Sequence, residues 1–207
     1  MPPITKFWLS TLKDNQTSPA SSSAFTHLLS EIHALCSSYT DPKGESKTTM
    51  HATYQDIDDP SQLVMITGYQ SQDLNTAADK VYAERYLARM FEFVQHVWLR
   101  QVDVDVCALP LDGDDGEKLV LRVTPPTPAG TGTGDDERGV GGWDVWHNTR
   151  QAEENENGAR GMRDGEEDGE KRMWVQVLRW DDYHSKNEEL ESATGETFRL
   201  RKIMGST

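Results

Sequence analysis

The chain has little sulfur, little positive charge and no long apolar run. Two cysteines in 207 residues, Cys36 and Cys107, are too few for a disulfide framework. One falls in a helical pattern and the other in a strand pattern. Both read as reduced thiols in a reducing compartment, so a cytoplasmic location is expected. No stretch approaches 18 apolar residues, which excludes a membrane-spanning helix. The opening "MPPITKFWL" has no charged segment leading into an apolar run and is not expected to be a signal peptide. Basic residues number 21 against 35 acidic ones, a net charge of -14. Such a balance repels phosphate backbones and anionic lipid, so neither nucleic acid nor a membrane surface is an expected partner. Also missing are G-x-G-x-x-G, a Walker loop, G-x-S-x-G and H-E-x-x-H.

What is present is a patterned α+β chain. Six tryptophans and six tyrosines add bulk to a 35% apolar composition. "ITKFWLSTL" is a strand candidate. Ser18-Pro19 reads as a cap followed by proline at the first helical position. Phe25, Leu28, Leu29, Ile32, Leu35, Cys36 and Tyr39 then fall on one helical face. "TMHATYQ" alternates, with Met50, Ala52 and Tyr54 on one side and His51, Thr53 and Gln55 on the other, as in a half-buried strand. "QLVMITGY" is apolar on both faces, so a central strand covered twice is expected. Ser71 can cap the next helix, with Asp73 favourable in its first turn. The apolar spacing slips between Val81 and Leu87, which predicts a break. "HVWLRQVDVDVCAL" alternates again, with the row Val102, Val104 and Val106 assigned to the helices and Gln101, Asp103 and Asp105 to the opposite face.

The order to this point is β-α-β-β-α-β, a ferredoxin-like unit with helices on one face only. Its bare face carries apolar residues and needs a partner. Residues 110–207 can supply one. "EKLVLRVTP", "GWDVWH", "MWVQVLRW" and "TFRLRKIM" read as strands, with "YHSKNEELESA" as a short helix before the last. The Pro/Gly/Thr-rich "PPTPAGTGTGDDERGVG" stands where a first helix would be. Residues 148–171 are read as a disordered acidic insertion with too little to bury. The expected fold is therefore α+β. Two tandem ferredoxin-like halves, 1–109 and 110–207, form one α/β-barrel pseudo-dimer, the second lacking its first helix.

The stretch "DPSQLVMITGYQSQDL", a strand ending Gly-Tyr before a Ser-led helix, and the end "VWLRQVDVDV" together resemble the antibiotic-biosynthesis-monooxygenase-like members of the dimeric α/β-barrel superfamily. The resemblance covers residues 48–108 well and 140–205 loosely. It implies two ferredoxin-like sheets packed face to face in a barrel, here both supplied by a single chain. Some members are cofactor-independent monooxygenases acting on polyphenols; others bind or degrade haem. Related tandem proteins often carry His-Leu-Asp in the last strand. Here the residues are Gln101-Val102-Asp103, so a histidine base or metal ligand is replaced at that point.

Site candidates follow from these patterns, each with a plainer alternative. His51, Gln101 and Tyr69 are the expected catalytic groups. Asp103, Trp98, Trp180 and His147 are the expected ligand contacts. Gln101 and Asp103 could point into the barrel; a solvated sheet edge is the plainer reading and the favoured one. His51 would need burial and a shifted pKa to act as a base; an exposed histidine is the plain alternative. Tyr69 and Trp180 end matching strands. Trp143, Trp146, Trp174 and Trp180 could line a cavity or fill the place of the missing helix. His33 and Cys36 are one helical turn apart, but no second ligand pair exists, and "EEDGE" reads as a solvated loop, so no metal is expected. No cofactor is expected either. Three functions remain open. The first is a barrel binding a small apolar or aromatic molecule, as a monooxygenase-like tailoring enzyme. The second is a non-catalytic binding or stress-associated protein. The third is a structural module whose acidic loop recruits a basic partner. The expected state is a monomer, as an internal pseudo-dimer, or a homodimer.

Overall fold

The computed structural model describes residues 2–13, 22–41, 43, 49–114, 116–125, 139–149, 173–184 and 195–206, with the backbone alone at 147–149, 184 and 206. Among the described residues the eight strands are β1 (Ile4–Leu12), β2 (His51–Asp56), β3 (Gln62–Tyr69), β4 (Val94–Val102), β5 (Lys118–Thr124), β6 (Gly139–Thr149), β7 (Trp174–Arg179) and β8 (Glu196–Ser206). The helices are α1 (Ser23–Thr40), α2 (Gln72–Arg85), α3 (Leu87–Phe93) and the single turn α4 (Trp180–His184). Every strand pair is antiparallel, and the strands close a barrel in the order β1-β3-β2-β8-β5-β7-β6-β4. Taken in fours, the circle runs β4-β1-β3-β2 and then β8-β5-β7-β6. The second series is the first with every strand number raised by four.

Alternation along each strand sorts side chains between two environments. In β1, Phe7 and Leu9 enter the barrel interior, while Trp8 and Leu12 join the layer under the helices. The interior is one apolar cluster drawn from both groups of strands, including Phe7, Tyr54, Trp98, Leu121, Val177 and Phe198. The stretch between β4 and β5 folds over one barrel end and adds Val106, Leu109 and Leu111 to that cluster. Val106 approaches Gly68 so closely that a Cβ there would lie 2.1 Å from its Cγ1, so only glycine fits.

Helices α1 to α3 cover the outer face of β4-β1-β3-β2. The side chain of Ser22 caps α1 by accepting from the Phe25 N–H at 3.4 Å, and Ser71 caps α2 by accepting from the Leu74 N–H at 3.3 Å. The expected start at Ser18-Pro19 lies outside the described residues, and α1 begins at Ser23. The slip after Val81 is a real break: Tyr86 separates α2 from α3.

Two expectations about faces are corrected. Strand β2 is buried along its whole length, not half-buried, because the barrel closes one side and α1 the other. In β4 the faces are exchanged. Val102 and Val106 belong to the interior, and Gln101 faces the helices. A bulge contributes to the exchange: Ser10 pairs with His96 and Leu9 with Trp98, which leaves Val97 as an extra residue. The strand also stops at Val102, before the expected end at Leu109.

On the second group, α4 packs Trp180 and Tyr183 over Val120 and Leu178. The rest of the expected helix and residues 150–171 of the acidic insertion lie outside the described residues; Asn148 and Thr149, expected in that insertion, belong instead to β6. Asp144 closes the seam between the groups. Its Oδ2 accepts from Arg100 Nη1 at 2.5 Å and its Oδ1 from the Met173 N–H at 2.7 Å. No helix among the described residues is long and apolar enough to cross a membrane.

Candidate functional site

A row of polar side chains crosses the helix-covered face of the first four strands. Gln101 on β4 pairs with Lys6 on β1, Lys6 with Thr67 on β3, and Thr67 with His51 on β2. All four are 8% exposed or less. Neighbours in such a row stand about 4.7–4.9 Å apart, so the row is one continuous floor.

The helices lower polar groups onto it. From α2, Asn75 Nδ2 donates to Gln101 Oε1 at 3.1 Å, and Asp79 forms a half-buried ion pair with Lys6. Asn75, Ala78, Asp79 and Tyr82 share one face at steps of three and four. From α1, His33 Nε2 shares a hydrogen bond of 2.9 Å with Thr53 Oγ1. Tyr69, at the end of β3, donates its hydroxyl to Cys36 Sγ at 3.3 Å. The Tyr69 ring lies 6.1 Å from the His51 ring and 5.9 Å from Lys6 Nζ, and so stands between base and cation. Trp8, Tyr82 and Phe91 form an aromatic wall beside the row, with ring centroids 6.3 and 6.5 Å from Trp8.

Burial sets the charge state of these groups. Desolvation, with the charge of Lys202, lowers the His33 pKa to about 4; desolvation, with His33 nearby, lowers that of His51 to about 3. Both imidazoles are neutral at neutral pH. Desolvation raises the Cys36 thiol and the Tyr69 and Tyr82 phenols, which therefore remain protonated. In this layer Asn75 Oδ1, Tyr82 Oη and His33 Nδ1 are deeply buried polar atoms with no hydrogen-bond partner among the described residues. Orphans of this kind are uncommon in folded proteins.

The three expected catalytic residues are thus brought to one layer, outside the barrel rather than inside it. His51 and Tyr69 turn toward α1, Gln101 toward α2. The expected ligand contacts do not join them. Asp103 is exposed beyond the end of β4. Trp98 is inside the barrel, edge-on to Phe198 at 6.0 Å. Trp180 lies on the second strand group, and the side chain of His147 lies outside the described residues. Sequence reasoning missed Lys6, Thr67, Asn75 and Asp79. Asn75 and Asp79 had a usable signal, because they fall at helical steps from Ala78 and Tyr82.

Among the described residues no three His, Cys, Asp or Glu side chains gather to hold a metal ion. The layer does not fit a haem. His33 Nε2 is engaged with Thr53, His96 Nδ1 accepts from Trp8 Nε1 at 2.9 Å, and His51 is wholly buried against Tyr69.

No family model matches the sequence, and no curated protein matches it. Solved structures do match. A protein provisionally named a chlorite dismutase aligns with TM-score 0.53 at 10% identity, over 98% of this chain and 96% of that one. A provisionally named monooxygenase from Fusobacterium nucleatum subsp. nucleatum gives 0.53 at 11% identity, over 100% and 94%. An anthrone oxidase-like protein gives 0.52 at 13% identity, over 100% and 93%. At these identities the likeness is one of fold. The fold they share with this chain is a closed antiparallel barrel with helices outside.

Proposed function

We propose that the chain binds a small aromatic molecule in the layer between α1, α2 and the sheet, and oxidises it as a cofactor-independent monooxygenase-like enzyme. The observation that carries this reading is the buried row Gln101–Lys6–Thr67–His51, roofed by groups that leave Asn75 Oδ1 and Tyr82 Oη unsatisfied. A phenolic hydroxyl can donate to the first and accept from the second. Neutral His51 is the base that draws a proton from an activated ring CH₂. Lys6 supplies positive charge toward the resulting anion. An electron-rich anion of this type reduces dioxygen itself. Overall, a ring CH₂ and O₂ become a ring C=O and water.

The tandem reading supports a site of this kind. We infer that 1–109 and 110–207 are two ferredoxin-like copies, the second without its first helix. The support is the strand order, in which β5 to β8 repeat the neighbour relations of β1 to β4. One chain then supplies both sheets of the barrel, and light scattering should give a monomer or a pair of such chains.

A second reading, binding without chemistry, is favoured by Gln101, which stands where tandem relatives carry histidine and is already bonded to Asn75. One experiment separates the two. Gently purified protein is analysed by native mass spectrometry, and oxygen uptake is then followed with anthrone as probe. A retained aromatic molecule, with uptake of one O₂ per anthrone that disappears in His51→Ala, supports the enzyme. A retained molecule without uptake leaves the binding protein. Neither result means that the polar layer is only structural.

A further inference from the structure

The second group of strands carries its own polar row on the outer face. Thr197 on β8 pairs with Arg122 on β5, Arg122 with Gln176 on β7, and Gln176 with Gly141 on β6. Arg122 holds the central-strand place that Lys6 holds in the first row. Lys6 has Asp79; Arg122 has no equivalent among the described residues. It is 8% exposed, yet no hydrogen bond or ion pair among the described residues reaches it, and its Nε is an orphaned donor. A buried guanidinium nitrogen left without an acceptor is strongly unfavourable, and none of the described acidic residues supplies one.

A second orphan lies beside it. Trp174 is two residues before Gln176 on the same face of β7, and its buried Nε1 also lacks an acceptor among the described residues. The indole lies across Gly141, where a Cβ would meet its Cζ2 at 3.1 Å, and Gln176 lies across Gly139 in the same way, with Nε2 at 2.9 Å. Two glycines on β6 therefore leave a side-chain-free floor under these groups. Trp143 stands edge-on to Trp174 at 5.2 Å and is 38% exposed, so an aromatic edge leads from solvent to the two donors.

We propose that Arg122 and Trp174 Nε1 form a binding site for a small aromatic carboxylate, with the ligand's ring against the Trp143–Trp174 pair. Two donors and one positive charge that the described residues leave unpaired call for an anionic acceptor, and carboxylate geometry suits a guanidinium. The ring is called for by the exposed indole edge. This site is separate from the layer under α1 and α2, and the inference does not rest on the proposed oxidation there.

Benzoate titrated into the full-length protein at fixed ionic strength tests the site, read by tryptophan fluorescence and by melting temperature. Benzyl alcohol and acetate serve as the ring without charge and the charge without ring. Saturable quenching by benzoate with a rise in melting temperature is expected, with both controls at least about tenfold weaker, as for loss of one charged hydrogen bond. Trp174→Phe keeps a ring, removes the N–H and should weaken benzoate by about tenfold on the same scale. Arg122→Gln should abolish the response. Arg122→Met should melt higher than the parent in benzoate-free buffer and ignore benzoate, because it removes a buried unpaired charge. Benzyl alcohol or acetate binding as well as benzoate would overturn the assignment. So would an unaltered benzoate response in Arg122→Gln, or an Arg122→Met protein that melts lower than the parent.

Discussion

The two groups of four strands share one neighbour order but differ in what covers them among the described residues. Over β4-β1-β3-β2 lie an 18-residue and a 14-residue helix, and the polar row beneath is largely paired: Lys6 with Asp79, Gln101 with Asn75. Over β8-β5-β7-β6 the described helix is a single 5-residue turn, and Arg122 has no paired carboxylate among the described residues. The sheet fixes where outward side chains stand; the covering helices decide whether their charges are neutralised within the chain. A repeated sheet can therefore carry two chemically unlike layers.

The largest expected effect sharpens this contrast in stability. Phe25 is fully buried and stacked on Phe93 at 4.6 Å. Phe25→Ala should cost about 3–5 kcal/mol in urea unfolding, as for large core truncations. Trp180→Ala, on a half-buried residue over Val120 and Leu178, should cost less. An equal or larger loss at Trp180 would mean that the second layer is the better packed.

The next effect is a pH dependence confined to the first layer. His33 and His51 have folded pKa values near 4 and 3, below the ordinary 6.5. The unfolded chain then binds more protons than the folded one between about pH 6.5 and the folded values. Stability from these groups is full above about pH 6.5 and falls as pH drops through 4 and then 3, by on the order of a few kcal/mol. The double variant His33→Gln/His51→Gln should flatten that slope in unfolding measured from pH 7 to 4. A slope unchanged by the variant would place the titration elsewhere.

The smallest effect concerns one hydrogen bond. Gln101→Leu removes the acceptor of Asn75 Nδ2 and should cost about 1–3 kcal/mol, since a buried donor is left unpaired. The paired variant Gln101→Leu/Asn75→Leu should recover part of it. If the double variant is no better than the single, the two amides do not act as a pair.

Much of this was legible in the sequence, and the failures share a cause. Strands such as Ile4–Leu12 and Gln62–Tyr69, the α1 face and the break after Val81 follow from local periodicity, which backbone geometry imposes directly. Face assignment does not. Gln101, Asp103 and Asp105 look like a solvated row because polarity is usually a proxy for exposure. Gln101 is buried because Asn75, 26 residues away, satisfies it. His51 alternates as if half-exposed, yet β2 is closed on one side by α1 and on the other by the barrel. Lys6 reads as an isolated charge until Asp79 is placed over it. Such pairings are tertiary, and no window of local sequence contains them. The bulge at Val97 is equally silent, since one extra residue in a strand changes no composition.

β6 hands over from one partner to another along its length, pairing β7 through Gly139–Trp143 and β4 from Asp144 onward. With β2 joined to β8 on the far side, each described strand has a hydrogen-bonded neighbour on either side and the circle closes. Loss of either group would strip two neighbours at once and leave β2 and β4, or β6 and β8, as naked templates for another chain. Aggregation of half-length fragments is the natural penalty for such exposure. The circle of hydrogen bonds thus makes unfolding a joint event and acts as protection against self-association.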